Sequence, residues 1–107
     1  MLNKDYIAQI VELLKEESPD KIILFGSHAY GQPDQESDID LLVIKNIPSA
    51  DIRDFRVKLK LKLWELIKKW NIPVDIVVDS ENRIKQRIIE GDLFYKEILT
   101  KGNIVYA

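Results

Sequence analysis

The sequence predicts an α/β domain in which helices flank a small mixed sheet. Three observations support this class. Apolar runs at 21–25, 39–44 and 74–78 are typical of short buried strands. Segments with helical apolar spacing lie before, between and after these runs, separated by short turn signals. The length of 107 residues, with 46% hydrophobic and 32% charged residues, fits a single globular domain over residues 1–107.

The first half of the chain is predicted to run helix, strand, loop with a short helix, strand. A first helix is expected over residues 3–17, because apolar residues recur there at helical spacing. Ser18-Pro19-Asp20 ends this helix and leads into the first strand. The second strand opens after a polar loop, at Ile39.

The second half is predicted to run helix, strand, two helices and a last edge strand. The longest helix is expected over about 49–70, with Ser49 as its N-cap and Pro73 beyond its end. Asp79-Ser80 is predicted to cap a helix that runs to about residue 90. Gly91-Asp92 breaks that helix, a short helix follows, and the closing strand comes after a glycine.

The longest helix carries two apolar faces. One face is predicted to pack on the core, and it comprises Ile52, Phe55, Leu59, Leu63, Leu66, Ile67 and Trp70. A second stripe, formed by Val57, Leu61 and Trp64, lies on nearly the opposite side among lysines and arginines. Two interpretations stay open: another part of the chain covers this stripe, or it is a surface for a partner or for self-association.

A glycine–serine turn follows the first strand. Gly26 allows the backbone to turn sharply and to approach a ligand closely. Ser27, at the start of the short helix, offers a hydroxyl and backbone N–H groups that suit a phosphate. A Gly-Ser pair on its own is most often a plain turn, so its position before a pair of acids decides the interpretation.

Three aspartates are candidate metal ligands. Asp38 and Asp40 are two residues apart on a strand, so both side chains emerge on one face. Carboxylates held together repel each other unless a cation lies between them, and Mg²⁺ prefers such oxygen ligands. Asp75 interrupts an apolar strand, where an unpaired carboxylate is costly. It joins the site if its strand lies beside that of Asp40; otherwise a salt bridge to a lysine accounts for it.

The arrangement of these residues is specific as a whole. The pattern G-S-x10-D-x-D, followed by an acid on a later strand, resembles the signature of polymerase-β-like nucleotidyltransferases. The segments LFGSHAYG, SDIDLLV and FYKEILTKGNIVYA resemble the minimal nucleotidyltransferases found beside HEPN-domain proteins in prokaryotes. The resemblance covers nearly the whole chain and implies the polymerase-β-like nucleotidyltransferase fold.

The resemblance also implies roles for individual residues. Gly26 and Ser27 would hold the triphosphate of ATP, and Asp38 and Asp40 would bind two Mg²⁺ ions. Asp75 would ligate the catalytic metal and help to activate the acceptor hydroxyl.

Residues of the loop receive separate interpretations. Tyr30 stands where many family members have a basic residue, which predicts a weaker contact to the triphosphate. His28 is interpreted as a helix-start or surface residue. Asp34 and Glu36 lie in a polar stretch and are expected to be solvated.

The function implied by the resemblance is that of a Mg²⁺-dependent protein adenylyltransferase. Such an enzyme would act as an antitoxin by transferring AMP from ATP to a tyrosine of a HEPN toxin and releasing pyrophosphate. Two alternatives stay open: an antitoxin that neutralises its toxin by binding alone, and a nucleotidyltransferase with a small-molecule acceptor such as an aminoglycoside. Assembly with itself or with a partner chain is expected in either case.

Composition argues against several other classes. A net charge of −2 and the lack of an aromatic-basic platform argue against a nucleic-acid-binding module. The absence of cysteine excludes disulfides and thiolate metal sites, and a single histidine argues against zinc. No Gly-Lys-Ser/Thr follows the glycine turn, which argues against a Walker P-loop. No apolar run is long enough to span a membrane, and the expected compartment is the cytoplasm.

Overall fold

The computed structural model describes residues 4–30 and 38–107. Its sheet has four strands in the order β3-β2-β1-β4. The strands are β1 (Lys21–Phe25), β2 (Ile39–Ile44), β3 (Val74–Asp79) and β4 (Asn103–Tyr106). β1 runs antiparallel to β2 and β4, whereas β2 and β3 are parallel, so the sheet is mixed as predicted.

Within the described residues, five α-helices flank the sheet, close to the predicted positions. They are α1 (Lys4–Leu14), α2 (Ser27–Tyr30), α3 (Ile52–Trp70), α4 (Glu81–Ile89) and α5 (Leu93–Lys101). A 3₁₀ turn at Lys15–Glu17 continues α1, and a second one at Ser49–Asp51 leads into α3. α3 is the crossover that a parallel pair of strands requires. None of the described helices is both long and apolar enough to cross a membrane.

The helices form a layer on each side of the sheet. The core between the sheet and the layer of α1 and α3 consists of Ile10, Leu14, Ile22, Leu24, Ile39, Leu41, Val43, Leu59, Leu63, Val74, Ile76 and Val78. The core on the side of α4 and α5 consists of Ile23, Phe25, Leu42, Ile44, Ile84, Tyr95 and Ile98. Because both faces are covered, the central strands are nearly continuous apolar runs rather than alternating ones.

The predicted N-cap at Ser49 is wrong. Ser49 is the first residue of the 3₁₀ turn, and Asp51 occupies the N-cap position of α3 without a side-chain cap bond. The N–H groups that the Ser49 side chain would cap already donate to backbone carbonyls. The N–H of Asp51 donates to the carbonyl of Pro48 at 2.9 Å, and the N–H of Ile52 donates to the carbonyl of Ser49. Pro48, with its fixed φ, begins the turn one residue earlier than the hydroxyl pattern suggests.

The cap predicted at Asp79-Ser80 and the break predicted at Gly91-Asp92 are confirmed. The Ser80 side chain accepts the N–H of Arg83 at 3.3 Å and begins α4. Asp92 begins α5 by accepting the N–H of Tyr95 at 3.0 Å. β4 lies at the edge of the sheet, after Gly102.

The two apolar faces of α3 differ in burial. Leu59 and Leu63 are fully buried, and the rest of the inner face is partly buried. The outer stripe is exposed: Val57 is 46%, Leu61 71% and Trp64 53% accessible. The interpretation that another part of the chain covers the stripe is therefore wrong for the part of the molecule that the structure describes.

A buried carboxylate that the sequence did not single out joins three elements. Asp79, at the end of β3, accepts hydrogen bonds from Tyr95 Oη at 2.7 Å, from Arg83 Nε at 2.8 Å and from the Ser80 N–H at 2.9 Å. Burial, and then the hydrogen bond to Asp79, raise the pKa of Tyr95 well above its usual range. The phenol therefore stays protonated and acts as the donor, which links α5 to β3.

Tyr95→Phe is expected to lower the free energy of unfolding by about 1–3 kcal/mol, because it leaves one oxygen of the buried Asp79 carboxylate without its donor. For a domain of this size the loss corresponds to a melting temperature lower by several degrees, on the order of 4–8 °C per kcal/mol. Tyr6→Phe keeps the ring contact with Trp70 and should leave the melting temperature unchanged. Equal melting temperatures for Tyr95→Phe and wild type would show that the bond adds nothing to stability.

Candidate active site

The parallel strands bring two of the predicted aspartates together. Asp40 on β2 and Asp75 on β3 are direct partners in the sheet register. Neighbouring strands are about 4.8 Å apart and partner residues share a face, so the two side chains lie next to each other. Asp38 directly precedes β2, two residues before Asp40. The prediction that the strand of Asp75 lies beside that of Asp40 is confirmed.

The electrostatic environment of Asp40 reflects this crowding. Burial is the largest cause that raises the pKa of the Asp40 carboxyl above its ordinary value, followed by the negative charges of Asp75 and then Asp38. His28 opposes these effects in part and lowers the pKa of Asp40. The site therefore carries an excess of negative charge, which a bound cation would neutralise.

The Gly-Ser turn packs directly on this carboxylate. Phe25, the last residue of β1, is the register partner of Asp40, and Gly26 follows with a φ of +78°. A Cβ atom on Gly26 would overlap Oδ2 of Asp40. The Gly26 carbonyl accepts the N–H groups of Ala29 and Tyr30, both at 3.0 Å, and so starts α2 at the next residue. Only glycine meets both requirements at this position, the positive φ and the missing side chain.

The residues around the turn are placed as follows. Ser27 is the first residue of α2, and His28, the second, is half-buried and close enough to act on Asp40. The helix-start interpretation of His28 is thus confirmed, but its proximity to the carboxylates was missed. Tyr30 ends α2 and is 39% exposed. Asp34 and Glu36 lie outside the described residues.

The donor set of the site fits a hard divalent cation. Within residues 4–30 and 38–107, no group of three His, Cys, Asp or Glu side chains is placed to hold a metal ion. The pair of Asp40 and Asp75 is nevertheless adjacent and mutually repulsive, with Asp38 close enough to add to the repulsion. Mg²⁺ is commonly held by one or two carboxylates, with phosphate oxygens of the substrate and water completing the shell. The residues present fit that pattern.

Two curated relatives are identical to this chain at about a third of the aligned positions. "Putative protein adenylyltransferase MJ0604" of Methanocaldococcus jannaschii is 33% identical over 86 residues, which span 80% of this chain and 77% of that protein. "Putative protein adenylyltransferase MJ0141" of the same organism is 33% identical over 76 residues, which span 70% and 69%.

Solved structures share the fold. A chain of the toxin–antitoxin MntA-HpeT, crystallised as a mutant, superposes with a TM-score of 0.53 at 20% identity, covering 100% of this chain and 74% of that one. A chain of a toxin–antitoxin crystallised with AMP-PNP gives a TM-score of 0.52 at 20% identity, with coverages of 99% and 74%. At this identity the likeness establishes the architecture, a mixed four-stranded sheet between helices.

The family model described as "Nucleotidyltransferase domain" matches residues 7–104, from α1 to β4. The match includes the Gly-Ser turn and all three aspartates. Together with the relatives above, it establishes that the chain belongs to the nucleotidyltransferase domain family.

Proposed function

We propose that this protein is a Mg²⁺-dependent protein adenylyltransferase that transfers AMP from ATP to a tyrosine of a HEPN toxin, and so acts as a cytoplasmic antitoxin. The observation that carries the proposal is the register pair Asp40–Asp75, packed against the Gly26-Ser27 turn. Membership of the nucleotidyltransferase family supports the reaction. The names of the relatives support a protein acceptor, and the toxin–antitoxin neighbours support a toxin as that protein.

In this proposal each part of the site has one task. The positive φ of Gly26 brings the backbone of the turn against the site, where Ser27 can donate to the triphosphate. Asp38 and Asp40 would hold two Mg²⁺ ions, and Asp75 would hold the catalytic one of them. When bound, these ions supply the positive charge that polarises the acceptor hydroxyl and stabilises the charge on the phosphates and on pyrophosphate.

The reaction is an in-line displacement at the α-phosphorus of ATP. The oxygen of the tyrosine hydroxyl forms a bond to the α-phosphorus, and the bond between that phosphorus and the oxygen bridging to the β-phosphate breaks. Pyrophosphate leaves with the electron pair of the broken bond, and the hydroxyl proton passes to Asp75. The protein contributes mainly by holding the donor and the acceptor in line, as in other phosphoryl-group transfers.

A second candidate, an antitoxin that acts by binding alone, is favoured by one observation. The exposed stripe of Val57, Leu61 and Trp64 provides a surface for a partner whether or not the site turns over. The two candidates differ in whether the partner gains AMP.

The test is to mix the purified chain with the HEPN-domain protein encoded by the neighbouring gene, Mg²⁺ and ATP, and to weigh both proteins by intact mass spectrometry. Wild type should add one or more AMP units to the partner. Asp75→Asn should reduce the rate by about 100-fold or more, because loss of a positioned base typically costs that much. Glu97→Gln, a carboxylate removed from the exposed surface of α5, should react as wild type.

Each other result has a meaning. A stable complex without added AMP would support the binding-only antitoxin and contradict the enzymatic proposal. AMP on an added aminoglycoside instead of on the protein would indicate a small-molecule acceptor.

A further inference from the structure

A groove lies at the free edge of the sheet, beside β3, and reaches Asp75, one member of the candidate catalytic pair. Its volume is about 340 Å³. It is lined by Lys60, Leu61, Trp64 and Ile67 of α3 and by residues 73–75 at the start of β3. Asp75 is thus both the register partner of Asp40 and part of the groove wall.

The walls of the groove are apolar and exposed. Leu61 and Trp64 are 71% and 53% accessible, and Val57 continues the same stripe one helical turn away. Large apolar side chains in contiguous, exposed positions and surrounded by charge are typical of protein interaction sites. A tryptophan in such a position is the residue type most often found to dominate an interface.

The rim of the groove is basic, although the chain as a whole is slightly acidic. α3 carries seven basic and two acidic side chains, whereas the whole chain has 16 basic and 18 acidic ones. Two of the seven, Lys58 and Lys62, are paired with glutamates of the turn after α1. The basic rim consists of Lys60, which lines the groove, and of Arg56 and Lys68 near it.

Arg56 Nε donates to the Ile76 carbonyl at 2.8 Å, which fixes this basic helix along the β3 edge. Lys68 Nζ lies 5.8 Å from the centre of the Trp64 ring. No carboxylate of the described residues lies within ion-pair distance of Lys60.

The order of the strands puts the groove opposite the Gly-Ser turn. Gly26 follows β1, Asp40 lies on β2 and Asp75 lies on β3, and the groove is beyond β3. Along the sheet, the carboxylate pair is therefore between the turn and the groove. Asp40 and Asp75 alternate with residues of the core under α3, so their side chains point to the α4–α5 face, and the groove reaches them around the free edge of β3. An in-line transfer needs the donor phosphates and the attacking hydroxyl on opposite sides of the reacting phosphorus. With the triphosphate at the turn, the groove is on the side from which an acceptor would approach.

We propose that this groove docks the acceptor protein, through a segment that places an apolar side chain against Leu61 and Trp64 and carboxylates against the basic rim. The inference rests on the function proposed above and adds where, and by what chemistry, the acceptor is recognised. A segment that docks there and passes around the free edge of β3 brings its hydroxyl to Asp75, on the side of the α-phosphorus away from the leaving pyrophosphate.

Leu61→Glu tests the groove, because it puts a negative charge into the apolar wall and beside the expected carboxylates. We expect KM for the HEPN-domain protein of the neighbouring gene to rise about 10-fold or more, with kcat unchanged. Lys60→Glu should act in the same direction. The dissociation constant of the complex, measured by calorimetry in the Asp40→Asn background, should rise in parallel, whereas the affinity for AMP-PNP should stay the same.

Two substitutions on α4 and α5, outside the lining of the groove, are matched controls. Ile89→Glu places the same charge at an apolar residue of α4 that is 78% exposed, and Lys96→Glu reverses an exposed lysine of α5. Both should leave the KM for the acceptor and the dissociation constant unchanged. The accessibility of Leu61 makes loss of folding unexpected, and circular dichroism checks this point.

Several outcomes would overturn the inference. Equal KM values and equal dissociation constants for Leu61→Glu and Ile89→Glu would show that the acceptor docks elsewhere. The lack of any complex with wild type would show that the chain does not dock this protein at all. A loss of AMP-PNP affinity in Leu61→Glu would assign the groove to the nucleotide base. A change of oligomeric state with unaltered acceptor binding would assign it to a second copy of the chain. If wild type transfers no AMP but Leu61→Glu still weakens the complex, docking stands and the proposed chemistry fails.

Discussion

Asp40→Asn is expected to abolish AMP transfer and to leave the domain folded. Loss of a residue that only supports a metal ligand typically costs about 10–100-fold in affinity or activity. Asp40 is proposed as a ligand itself, and the charges of Asp75 and Asp38 are close enough to raise the pKa of its carboxyl. We therefore expect the rate of AMP transfer to fall by more than about 100-fold, measured as intact mass of the acceptor against time.

The same substitution is expected to keep or raise stability in the absence of metal. The pKa of Asp40 is raised in the folded state, first by burial and then by Asp75 and Asp38, so its ionisation opposes folding. The free energy of unfolding of wild type therefore falls as the pH rises from 3.8, the ordinary pKa of aspartate, through the higher pKa of Asp40 in the folded state. The neutral asparagine has no such loss. The difference in melting temperature should thus be smallest in acid and largest at neutral pH.

Thermal melts in EDTA and in Mg²⁺ with AMP-PNP separate the two effects. In EDTA the variant should melt at or above the wild-type temperature. Ligands that bind only the folded state raise its stability, so Mg²⁺ with AMP-PNP should stabilise wild type more than the variant. A variant that melts well below wild type in EDTA would show that Asp40 is structural. Transfer at the wild-type rate would remove Asp40 from the site.

The parts of the fold that follow from local pattern were predictable from the sequence. The first three strands are largely buried on both faces, so apolar runs mark them, and the proline and glycine signals mark where the helices end. The strand order could not be read in the same way, because pairing is decided by contacts between distant segments. The adjacency of Asp40 and Asp75 was therefore a hypothesis until β2 and β3 were seen to be parallel neighbours.

The features that were missed share a physical cause. The Asp79 cluster needs Tyr95 from a helix 16 residues away along the chain, and nothing local marks the pair. The cap at Ser49 failed because Pro48 begins the turn earlier, so that backbone carbonyls compete with the hydroxyl. The exposure of Leu61 depends on what packs over α3, which helical periodicity alone does not contain.

The Gly-Ser turn was predictable as a turn, but its contact with the Asp40 carboxylate was not. Positive φ and small size can be expected of a glycine before a phosphate-binding helix. The approach of its backbone to Asp40 arises from the register of β1 against β2, where Phe25 is the partner of Asp40. The sequence signature therefore contains a packing constraint besides any contacts to nucleotide, and the constraint can be measured separately.

Gly26→Ala is expected to destabilise the domain and to reduce AMP transfer strongly. The substitution forces a side chain into a φ of +78° and into overlap with the Asp40 carboxylate, so that this carboxylate must move. A residue held at an unfavourable φ costs about 1–3 kcal/mol. We expect the free energy of unfolding, measured with urea, to fall by more than this amount, because the overlap with Asp40 adds to the backbone strain. Transfer should fall because the displaced carboxylate no longer faces Asp75 in register.

Gly91→Ala is the matched control, since Gly91 has a φ of +100° but no atom within 4 Å of an added Cβ. It should show the backbone strain alone and leave AMP transfer intact. In an Asp40→Ala background the overlapping atoms are gone and the nearest remaining atom, Cβ of residue 40, is at an ordinary 3.4 Å. The cost of Gly26→Ala should then shrink to that of Gly91→Ala, a coupling that a double-mutant cycle measures directly. Equal costs for Gly26→Ala in both backgrounds would show that the glycine is required for its φ alone.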